Sequence, residues 1–454
     1  MPTRREESRL PAGFSRLLIS WFAAQSADGM RFAGLPLLAF VTDRSPVAVA
    51  TVATATSLPW LLVALPAGLL VDRLDASRVI VAANLTRAVA AALVVVAVAT
   101  GAVSIAVLAV IGFALTAAET FTDSAAQSLL VEMVPTEQLE RANARFLSSE
   151  NVGFDLIGPL AAAGLFLLAH WAPFAVSAAV FATAAAVMVG LTGGAGQRLG
   201  GPDADPGAPG RGTVDPGGVV DPDDPAIPAA PERLRSSVGR AFAAVFADPV
   251  LRSLVITVAV LAATVAAVEG VLVIYVTGPL NLKPAVFPVL LASYSLGLLA
   301  AAPFAGRVVQ RFETGAVMLC ALGVAATSLM VLGAFPSTPV ALVCFVILGA
   351  TLGFWNILSA TRRQRRTPRR ITAAVSSAFR TMAWGALPLG AALGGVGAQH
   401  WGVARVFFVA GVIVLLLALV MARPFLRPVD SGMAGPGVTA DSPVSVPTEA
   451  ARPE

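Results

Sequence analysis

Ionisable residues recur inside stretches of this sequence that are otherwise apolar. Asp28 and Arg31 stand three residues apart in the first stretch, and Glu119 and Asp123 stand four apart in the fourth, so each pair shares one face of a helix. A charge at the centre of a bilayer costs about 2.5–3.5 kcal/mol on insertion scales, so such side chains face protein or water and mark candidate sites. The other residues of this kind are Arg87, Asp155, Glu269 and Arg380.

Asp28 is the first candidate for a proton carrier. It can pair with Arg31 when it is ionised, and a proton would break that pair. The alternative is a static Asp28–Arg31 pair that only fixes helix packing. Glu119 and Glu269 are further candidates for contact with a proton or a substrate.

Three charged residues are secondary candidates, each with an alternative role. Asp123 is expected near the inner interface, where it can be solvated or pair with a loop arginine. Asp155 can serve the packing of its helix, and Arg380 can balance an acid across the bundle. Arg87 is expected to extend along its helix to the inner membrane surface.

Other kinds of chemistry lack their motifs in this sequence. It contains no HExxH zinc motif, no GxSxG nucleophile motif and no Walker lysine loop. The two histidines, His170 and His400, fall beside tryptophans at the outer ends of apolar stretches, where they suit an interfacial position. These absences argue against a membrane enzyme and an ATP-driven pump, and we expect no metal and no cofactor.

The apolar stretches are long enough to cross a membrane. Of the 454 residues, 57% are hydrophobic and 13% are charged, whereas a soluble domain has about 25% charged residues. About 20 apolar residues in a helix cross a hydrocarbon layer of ~30 Å. The sequence predicts an all-α integral membrane protein with twelve transmembrane helices, at residues 16–40, 47–71, 79–100, 103–127, 145–169, 172–192, 252–277, 285–309, 314–335, 339–360, 372–398 and 403–423.

Arginine is distributed unequally between the two sides of the predicted membrane. One side carries both termini and arginine clusters such as TRRQRRTPRRI (Thr361–Ile371), whereas the other has only Arg44, Lys283 and Arg405. Excess arginine marks the cytoplasmic side, so we expect a multi-pass protein of the cell (inner) membrane with both termini in the cytoplasm. The same distribution accounts for a pI near 9.8 without a nucleic-acid partner.

A polar segment divides the chain into two halves. Between Gly200 and Pro231 proline, glycine and aspartate dominate, so this segment is predicted to be disordered. Apolar residues at helical spacing before span 7 predict an amphipathic helix on the inner membrane surface, with a continuation of the linker as the alternative. The predicted domains are an N-terminal tail (1–15), a six-helix bundle (16–193), the linker (194–232), the interfacial helix (233–251), a second six-helix bundle (252–425) and a disordered C-terminal tail (426–454).

The two halves repeat each other. Span 2 ends PAGLLVDR (Pro66–Arg73) and span 8 ends PFAGRVVQR (Pro303–Arg311), with a glycine five residues before the last arginine in each. Spans 5 and 11 both have a proline, a run of small residues and a His-Trp pair 11 or 12 residues after the proline. Two similar bundles with a site between them are typical of transporters.

The loop after span 2 resembles a known signature. GLLVDRLDASR (Gly68–Arg78) is similar to G-x-L-x-D-R-x-G-R-[KR] of the major facilitator superfamily, with Asp75, Ala76 and Ser77 as departures. Four further segments resemble the enterobactin-exporter and macrolide-efflux-like branch of that superfamily. They are Glu119–Ala144, GPLAAAG of span 5, Trp355–Pro368 and Ser376–Gly395. The similarity covers both halves, about residues 14–425.

The resemblance implies a major facilitator fold with alternating access and proton-coupled export. It also implies that helices 1, 4, 7 and 10 line the cavity. Three of these helices carry the acids named above, and helix 10 adds Trp355 and Asn356. The residues expected at the proton and substrate cavity are therefore Asp28, Arg31, Glu119, Glu269, Trp355 and Asn356.

The signature and its counterpart in span 8 are expected to latch the two bundles together on one face and to release in the other state. Plain anchoring at the membrane surface by arginine is the alternative. The latch residues are Gly68, Asp72, Arg73, Arg78, Gly306 and Arg311. Gly158, Pro159 and Pro388 are expected to kink their helices. The resemblance gives Gly158–Pro159 a role in the direction of transport, although Ala161–Ala163 replace further glycines.

These observations predict a secondary active transporter, a proton-coupled antiporter that exports amphipathic small molecules such as a drug, an antibiotic or a siderophore. Import or facilitated diffusion of a small nutrient on the same fold is the alternative, and a structural or sensory role is a third possibility. The expected partners are the small-molecule substrate, protons and the lipid bilayer. We expect a monomer.

Overall fold

The computed structural model describes residues 11–71, 73–190, 246–366, 379 and 381–426. All regular structure in these ranges is helical. The predicted linker, most of the interfacial helix and most of both tails lie outside the described residues, as do Asp72 and Arg380. The end of the predicted N-terminal tail, from Ala12, belongs to the first helix. Of the predicted interfacial helix, Phe246 and Ala247 are helical and precede Asp248, which caps the next helix.

The first half consists of eight α-helices that account for spans 1 to 6. Span 2 is broken at Val63, and span 5 contains a π-helical segment, Asn151–Ile157. A 3₁₀ turn, Thr136–Gln138, precedes span 5. The helices are α1 (Ala12–Thr42), α2 (Pro46–Leu62), α3 (Ala64–Val71), α4 (Ala76–Thr100), α5 (Ile105–Met133), α6 (Leu139–Glu150), α7 (Gly158–Leu168) and α8 (Ala172–Val189).

The second half provides spans 7 to 12. Span 7 is interrupted at Gly270 and Val271, and a 3₁₀ turn, Pro284–Val286, precedes span 8. Residues 381–385 are helical just before the main helix of span 11. The helices are α9 (Pro249–Glu269), α10 (Leu272–Thr277), α11 (Phe287–Arg311), α12 (Thr314–Ala334), α13 (Thr338–Arg366), α14 (Leu387–Trp401) and α15 (Val403–Leu426).

The helices confirm the predicted all-α membrane fold. Nine helices in the described ranges are long and apolar enough to cross a membrane, and α2 is a shorter apolar helix. Span 5 begins earlier than predicted, because α6, the π-helical segment and α7 follow one another without a break from Leu139 to Leu168.

Helix ends follow from local sequence. Asp248 precedes α9, and its carboxylate accepts hydrogen bonds from the amides of Val250 (2.7 Å) and Leu251 (3.2 Å). Ser45 similarly accepts from the amide of Ala48, with a proline at the first position of α2. Gly101 ends α4 in the left-handed region, at φ 70°.

The predicted repeat is visible in the packing. Span 3 packs on span 6 in the first half, and span 9 packs on span 12 in the second. Spans 2 and 4, 1 and 5, and 1 and 6 pack together, as do their counterparts 8 and 10, 7 and 11, and 7 and 12. Each half is therefore one bundle with the same internal arrangement.

Glycines allow the closest helix crossings in both bundles. A Cβ on Gly158 would lie only 2.5 Å from the Cα of Gly29, so spans 1 and 5 meet backbone to backbone. In the second half, a Cβ on Gly390 would lie 2.6 Å from the Cα of Ala263, and one on Gly394 would lie 2.7 Å from the Cα of Ala267. Spans 7 and 11 therefore repeat the crossing of spans 1 and 5.

The two bundles contact each other through matched pairs, span 2 with span 11 and span 5 with span 8. Gly395 of α14 lies against Ala50 and Pro46 at the start of α2. This part of α2 is remote from the membrane side that carries both termini, which we call the terminal side. The main packing partners of α3 and α6, on the terminal side, lie within the first half. Within the described ranges, the bundles therefore meet chiefly on the side opposite the termini.

Candidate functional site

A cavity of about 490 Å³ lies between the two bundles, near the middle of their helices. Its volume is in the range of sites for small molecules, about 300–1,000 Å³. Residues from spans 1, 2, 4 and 5 of the first half face residues from spans 7, 8, 10 and 11 of the second. The ionisable and amide side chains on its wall are Gln25, Arg31, Glu119, Asp123, Glu150, Asp155, Glu269, Tyr294 and Asn356.

Arg31 joins this cavity to a buried charge cluster in the first half. Its Nε donates to Asp28 Oδ1 (2.7 Å), and its Nη1 donates to the hydroxyl of Thr116 (3.1 Å). Its Nη2 donates to Glu119 Oε2. One guanidinium is therefore shared by two carboxylates and a hydroxyl, and both Arg31 and Glu119 reach the cavity wall.

Arg87 forms the other end of the cluster. The expectation that it reaches the membrane surface is wrong, because the residue is 1% exposed and its Nη1 donates to Asp28 Oδ2. Its Nη2 donates to Asn84 (2.5 Å) and Thr122 (3.0 Å), and the guanidinium carbon lies 4.6 Å from the ring centroid of Phe181. These partners compensate the desolvation of the buried guanidinium within the bundle.

Asp28 occupies a different place from the one expected. Its two oxygens accept from two different arginines, and the residue is 0% exposed, behind Arg31 and away from the cavity wall. Asp28, Arg31, Arg87 and Glu119 balance two negative against two positive charges. Glu119 is the acid of this cluster that faces the cavity.

Three further acids of the first half line the cavity. Asp123 lies one turn beyond Glu119 on α5 and is half-buried, instead of solvated at the inner interface, and its Oδ1 has no hydrogen-bond partner among the described residues. Asp155 belongs to the π-helical segment, and Glu150 ends α6. Asp155 therefore lies at the site, in addition to any part it has in packing.

The second half contributes fewer ionisable groups. Glu269 ends α9, directly before the interruption of span 7, and shares the cavity wall with Asp155 of the first half. Tyr294 of α11 lines the same cavity. Trp355 and Asn356 of α13 also line the cavity, as expected.

Much of the remaining wall is aromatic and aliphatic. Trp60 of α2 and Trp384 of span 11 have ring centroids 4.0 Å apart across the two halves, and Phe32 and Phe154 have centroids 5.3 Å apart. The aliphatic residues on this wall include Leu35, Val52, Val258, Leu261, Leu291, Leu298 and Leu352. The cavity therefore joins an acidic side to an apolar side.

The latch candidates lie on the terminal side. Arg73, Arg78 and Arg311 are exposed, while Gly68 lies in α3 and Gly306 in α11. No structure is described for Asp72, the acid expected to cap a helix.

Asp75 instead caps α4, accepting from the Ser77 hydroxyl (2.5 Å) and the Arg78 amide (3.1 Å). Its hydrogen bond with Ser77 is the main cause that lowers the pKa of the Asp75 carboxyl below its usual value.

The expected kink residues occupy helix starts and crossings. Gly158 and Pro159 begin α7 immediately after the π-helical segment, and Pro388 stands at the start of α14 after a break at Ala386. Pro388 therefore costs no helical hydrogen bond, because it lies in the first turn after the break. Pro159 lies within the continuous helical run of span 5, where its missing N–H removes one donor.

Sequence reasoning missed Asn84, Thr116, Glu150 and Tyr294. Asn84 stands three residues before Arg87 on α4, and Thr116 belongs to one polar stripe with Glu119 and Asp123 on α5. For Asn84 and Thr116, this helical spacing was the available signal. Glu150 and Tyr294 gave no comparable signal, because neither has a polar neighbour at helical spacing within an apolar span. In the described ranges, no group of three or more His, Cys, Asp or Glu residues could hold a metal ion.

Two six-helix bundles around one cavity at mid-depth are the architecture of a secondary transporter. A sequence model of the Major Facilitator Superfamily matches residues 17–278 and 254–444. The chain belongs to this superfamily, whose members are multi-pass membrane transporters of small molecules and not enzymes. Its resemblance to the enterobactin-exporter and macrolide-efflux-like branch stays a prediction.

Solved transporter structures share this fold. The nucleoside transporter NupG superposes with a TM-score of 0.68 at 13% identity, covering 92% of this chain and 100% of NupG. A bacterial homologue of the iron transporter ferroportin, in an inward-facing state, gives 0.68 at 17% identity, covering 91% and 98%. A bacterial homologue of the human lysosomal transporter Spinster, inward-facing and unoccupied, gives 0.65 at 14% identity, covering 92% and 99%. No curated protein sequence matches the chain.

Proposed function

We propose that this transporter is a proton-coupled antiporter that exports amphipathic small molecules by alternating access. The observation that carries the proposal is the single cavity in which the Arg31–Glu119 pair faces an aromatic and aliphatic wall. A proton and an amphipathic substrate can therefore compete within one space, which is the requirement for exchange. The direction of transport rests on the resemblance to exporters.

Glu119 is the group that we propose to exchange protons with the cavity. A proton on Glu119 removes one partner of Arg31 and leaves Asp28 held by both arginines. A proton on Asp28 would instead leave Arg31 and Arg87, both buried, with Glu119 as the remaining carboxylate of the cluster. Because unpaired buried charges are costly, the first state is the less expensive one. Glu269 and Asp155, one from each half, are further candidate acids on the cavity wall.

The charge of the wall narrows the substrate. Five carboxylates line the cavity, those of Glu119, Asp123, Glu150, Asp155 and Glu269, whereas Arg31 is the one guanidinium on the described wall and is already bound to Asp28 and Glu119. This balance favours amphipathic drugs or antibiotics that are neutral or basic over an anionic siderophore. The Trp60–Trp384 pair offers such molecules an aromatic surface.

Alternating access would exchange one set of contacts between bundles for another. The contacts of Gly395 with Ala50 and Pro46 would open, and the terminal sides of both bundles would meet near the latch residues. We further propose that the chain functions as a monomer in the inner membrane with both termini in the cytoplasm, as its arginine distribution predicts.

Efflux from reconstituted vesicles tests the function. Vesicles loaded with a fluorescent amphipathic amine are diluted with and without a pH gradient, and we expect faster efflux when protons can move in exchange. Equal rates with and without the gradient would remove proton coupling. Rapid counterflow of a nutrient without any gradient would support the importer instead.

A further inference from the structure

A second concave surface lies on the terminal side of the first half, between α1 and α6. This groove has a volume of about 600 Å³ and no acidic residue on its wall. It is separate from the cavity between the bundles, since the two share no lining residue. Its walls are Leu18, Ile19 and Phe22 of α1, Arg141, Ala144, Arg145, Ser148 and Ser149 of α6, and Val152.

The chemistry of the groove changes with depth in the membrane. Arg141 and Arg145 stand one turn apart at the end of the groove that is nearest the membrane surface on the terminal side. Ser148 and Ser149 follow on the next turn. Val152 and the apolar side chains of α1 lie deeper. Eleven residues separate Arg141 from Val152, about 16 Å along a helix. Charge, hydroxyl and hydrocarbon surface thus follow one another over the length of a lipid headgroup, its ester linkage and the start of its acyl chains.

The deeper part of the groove presents apolar surface to the membrane. Ile19 is 58% exposed, so apolar surface is available next to it. Because Ile19 belongs to a membrane-crossing helix, lipid rather than a soluble protein can reach it.

We propose that this groove binds an anionic phospholipid, with its phosphate at Arg141 and Arg145 and an acyl chain along Ile19 and Phe22. Guanidinium groups form charge-assisted hydrogen bonds with phosphate oxygens, and an anionic headgroup lacks the ammonium group that offsets the phosphate charge of a zwitterionic lipid. The site does not depend on the proposed export function.

Lipid binding to the purified full-length protein tests the proposal. Detergent micelles are doped with dioleoylphosphatidylglycerol or dioleoylphosphatidylcholine, and bound lipid is counted by native mass spectrometry. We expect the anionic lipid to bind preferentially and the double variant R141Q/R145Q to weaken its binding by about tenfold or more. The matched control is R252Q/R307Q, which removes two exposed arginines outside the groove.

A third variant separates lipid binding from surface charge. A144W keeps both arginines but fills the groove at an exposed position, so it should also weaken lipid binding without unfolding the protein. Glycerol 3-phosphate, which has the headgroup phosphate but no acyl chain, should not compete. The proposal is overturned by equal binding of both lipids, by equal losses in the two double variants, by full binding to A144W, or by effective competition from glycerol 3-phosphate.

Discussion

Arg31 connects a buried acid of the first half to an acid that the cavity can reach. It holds Asp28 on one side and Glu119 on the other, and only the second of these acids reaches the cavity. A change in the charge of Glu119 therefore alters the partners of Arg31 without solvent reaching Asp28.

Replacement of Glu119 by Gln should abolish gradient-driven efflux while substrate exchange without a gradient continues. Glutamine keeps the shape and can accept a hydrogen bond from Arg31, but it cannot exchange a proton. Transport into and out of reconstituted vesicles, measured across pH, checks this. The control is Gln25→Glu, which adds a carboxylate on the cavity wall and leaves Glu119 in place. If E119Q retains full gradient-driven efflux, Glu119 is not the coupling acid.

Asp28 and Arg87 should behave as an energetically coupled pair. Each single variant, D28N or R87M, leaves a buried charge without its partner, and we expect a loss of about 3–5 kcal/mol in stability. The double variant D28N/R87M should lose less than the sum of the two. Thermal unfolding of the solubilised protein measures the three values. Additive losses would contradict the pairing.

The sequence predicted the local half of this cluster and missed the distant half. Asp28 and Arg31 pair because they are three apart on one helix, a relation that spacing reveals. Arg87 lies 59 residues from Asp28, and Glu119 lies 88 residues from Arg31. Such partners depend on which helices are neighbours. Without that information, the sequence predicts a surface position for Arg87 instead of a buried one.

Within each bundle, neighbouring helices come close together where a glycine faces the backbone of the next helix. Span 5 reaches span 1 at Gly158, directly after the π-helical segment, and span 11 reaches span 7 at Gly390 and Gly394. The existence and order of the helices could be predicted, because an apolar stretch of about 20 residues has few alternatives to a membrane-spanning helix. The break at Val63 and the π-helical segment could not, because tertiary contacts decide them.

Substitution of Gly158 by Ala should destabilise the protein, whereas Gly164→Ala should not. A Cβ at Gly158 would meet the backbone of Gly29, while one at Gly164 would have no neighbour within 4 Å. Overpacking costs about 1–3 kcal/mol, and alanine in an open helical position stabilises by about 0.5–1 kcal/mol. Melting temperatures of the two variants provide the comparison. Equal stability of both would disprove the close crossing.

Asp75 should stabilise α4 in a pH-dependent manner. Because its pKa is lowered in the folded protein, its contribution is present above the ordinary carboxyl value of 3.8 and is lost as the pH falls through the folded value. We expect D75A to cost about 1 kcal/mol at neutral pH, and less at pH 3. D75N, which keeps a capping oxygen, is the control and should cost less than D75A. A loss for D75A that does not change with pH would exclude the charge effect.

At the scale of the whole molecule, the two contacts between the bundles are equivalent, because spans 8 and 11 are the counterparts of spans 2 and 5. Span 2 meets span 11, and span 5 meets span 8. The internal sequence repeat predicted two similar bundles, but not which spans meet across them. That choice depends on how the two bundles pack against each other, which no pattern within one half encodes.

A covalent link between the bundles should stop transport. In a variant with Cys320 and Cys344 replaced by Ser, the pair Leu61→Cys and Gly385→Cys joins spans 2 and 11, since a Cβ on Gly385 would lie 2.9 Å from Leu61 Cδ1. We expect oxidation to abolish vesicle transport and a reductant to restore it, because the link joins two spans of different bundles that must move relative to each other. The two single-cysteine variants are the controls. Continued transport in the oxidised double variant would show that this contact does not open.

The burial of Arg87 has a consequence for how the chain enters the membrane during synthesis. Alone in the bilayer, the third span would carry a charge that costs about 2.5–3.5 kcal/mol to insert. Its counter-charge, Asp28, lies on the first span, which the ribosome makes earlier. We therefore expect span 1 to stay next to the translocon until span 3 has been made, so that the two enter the bilayer as a pair.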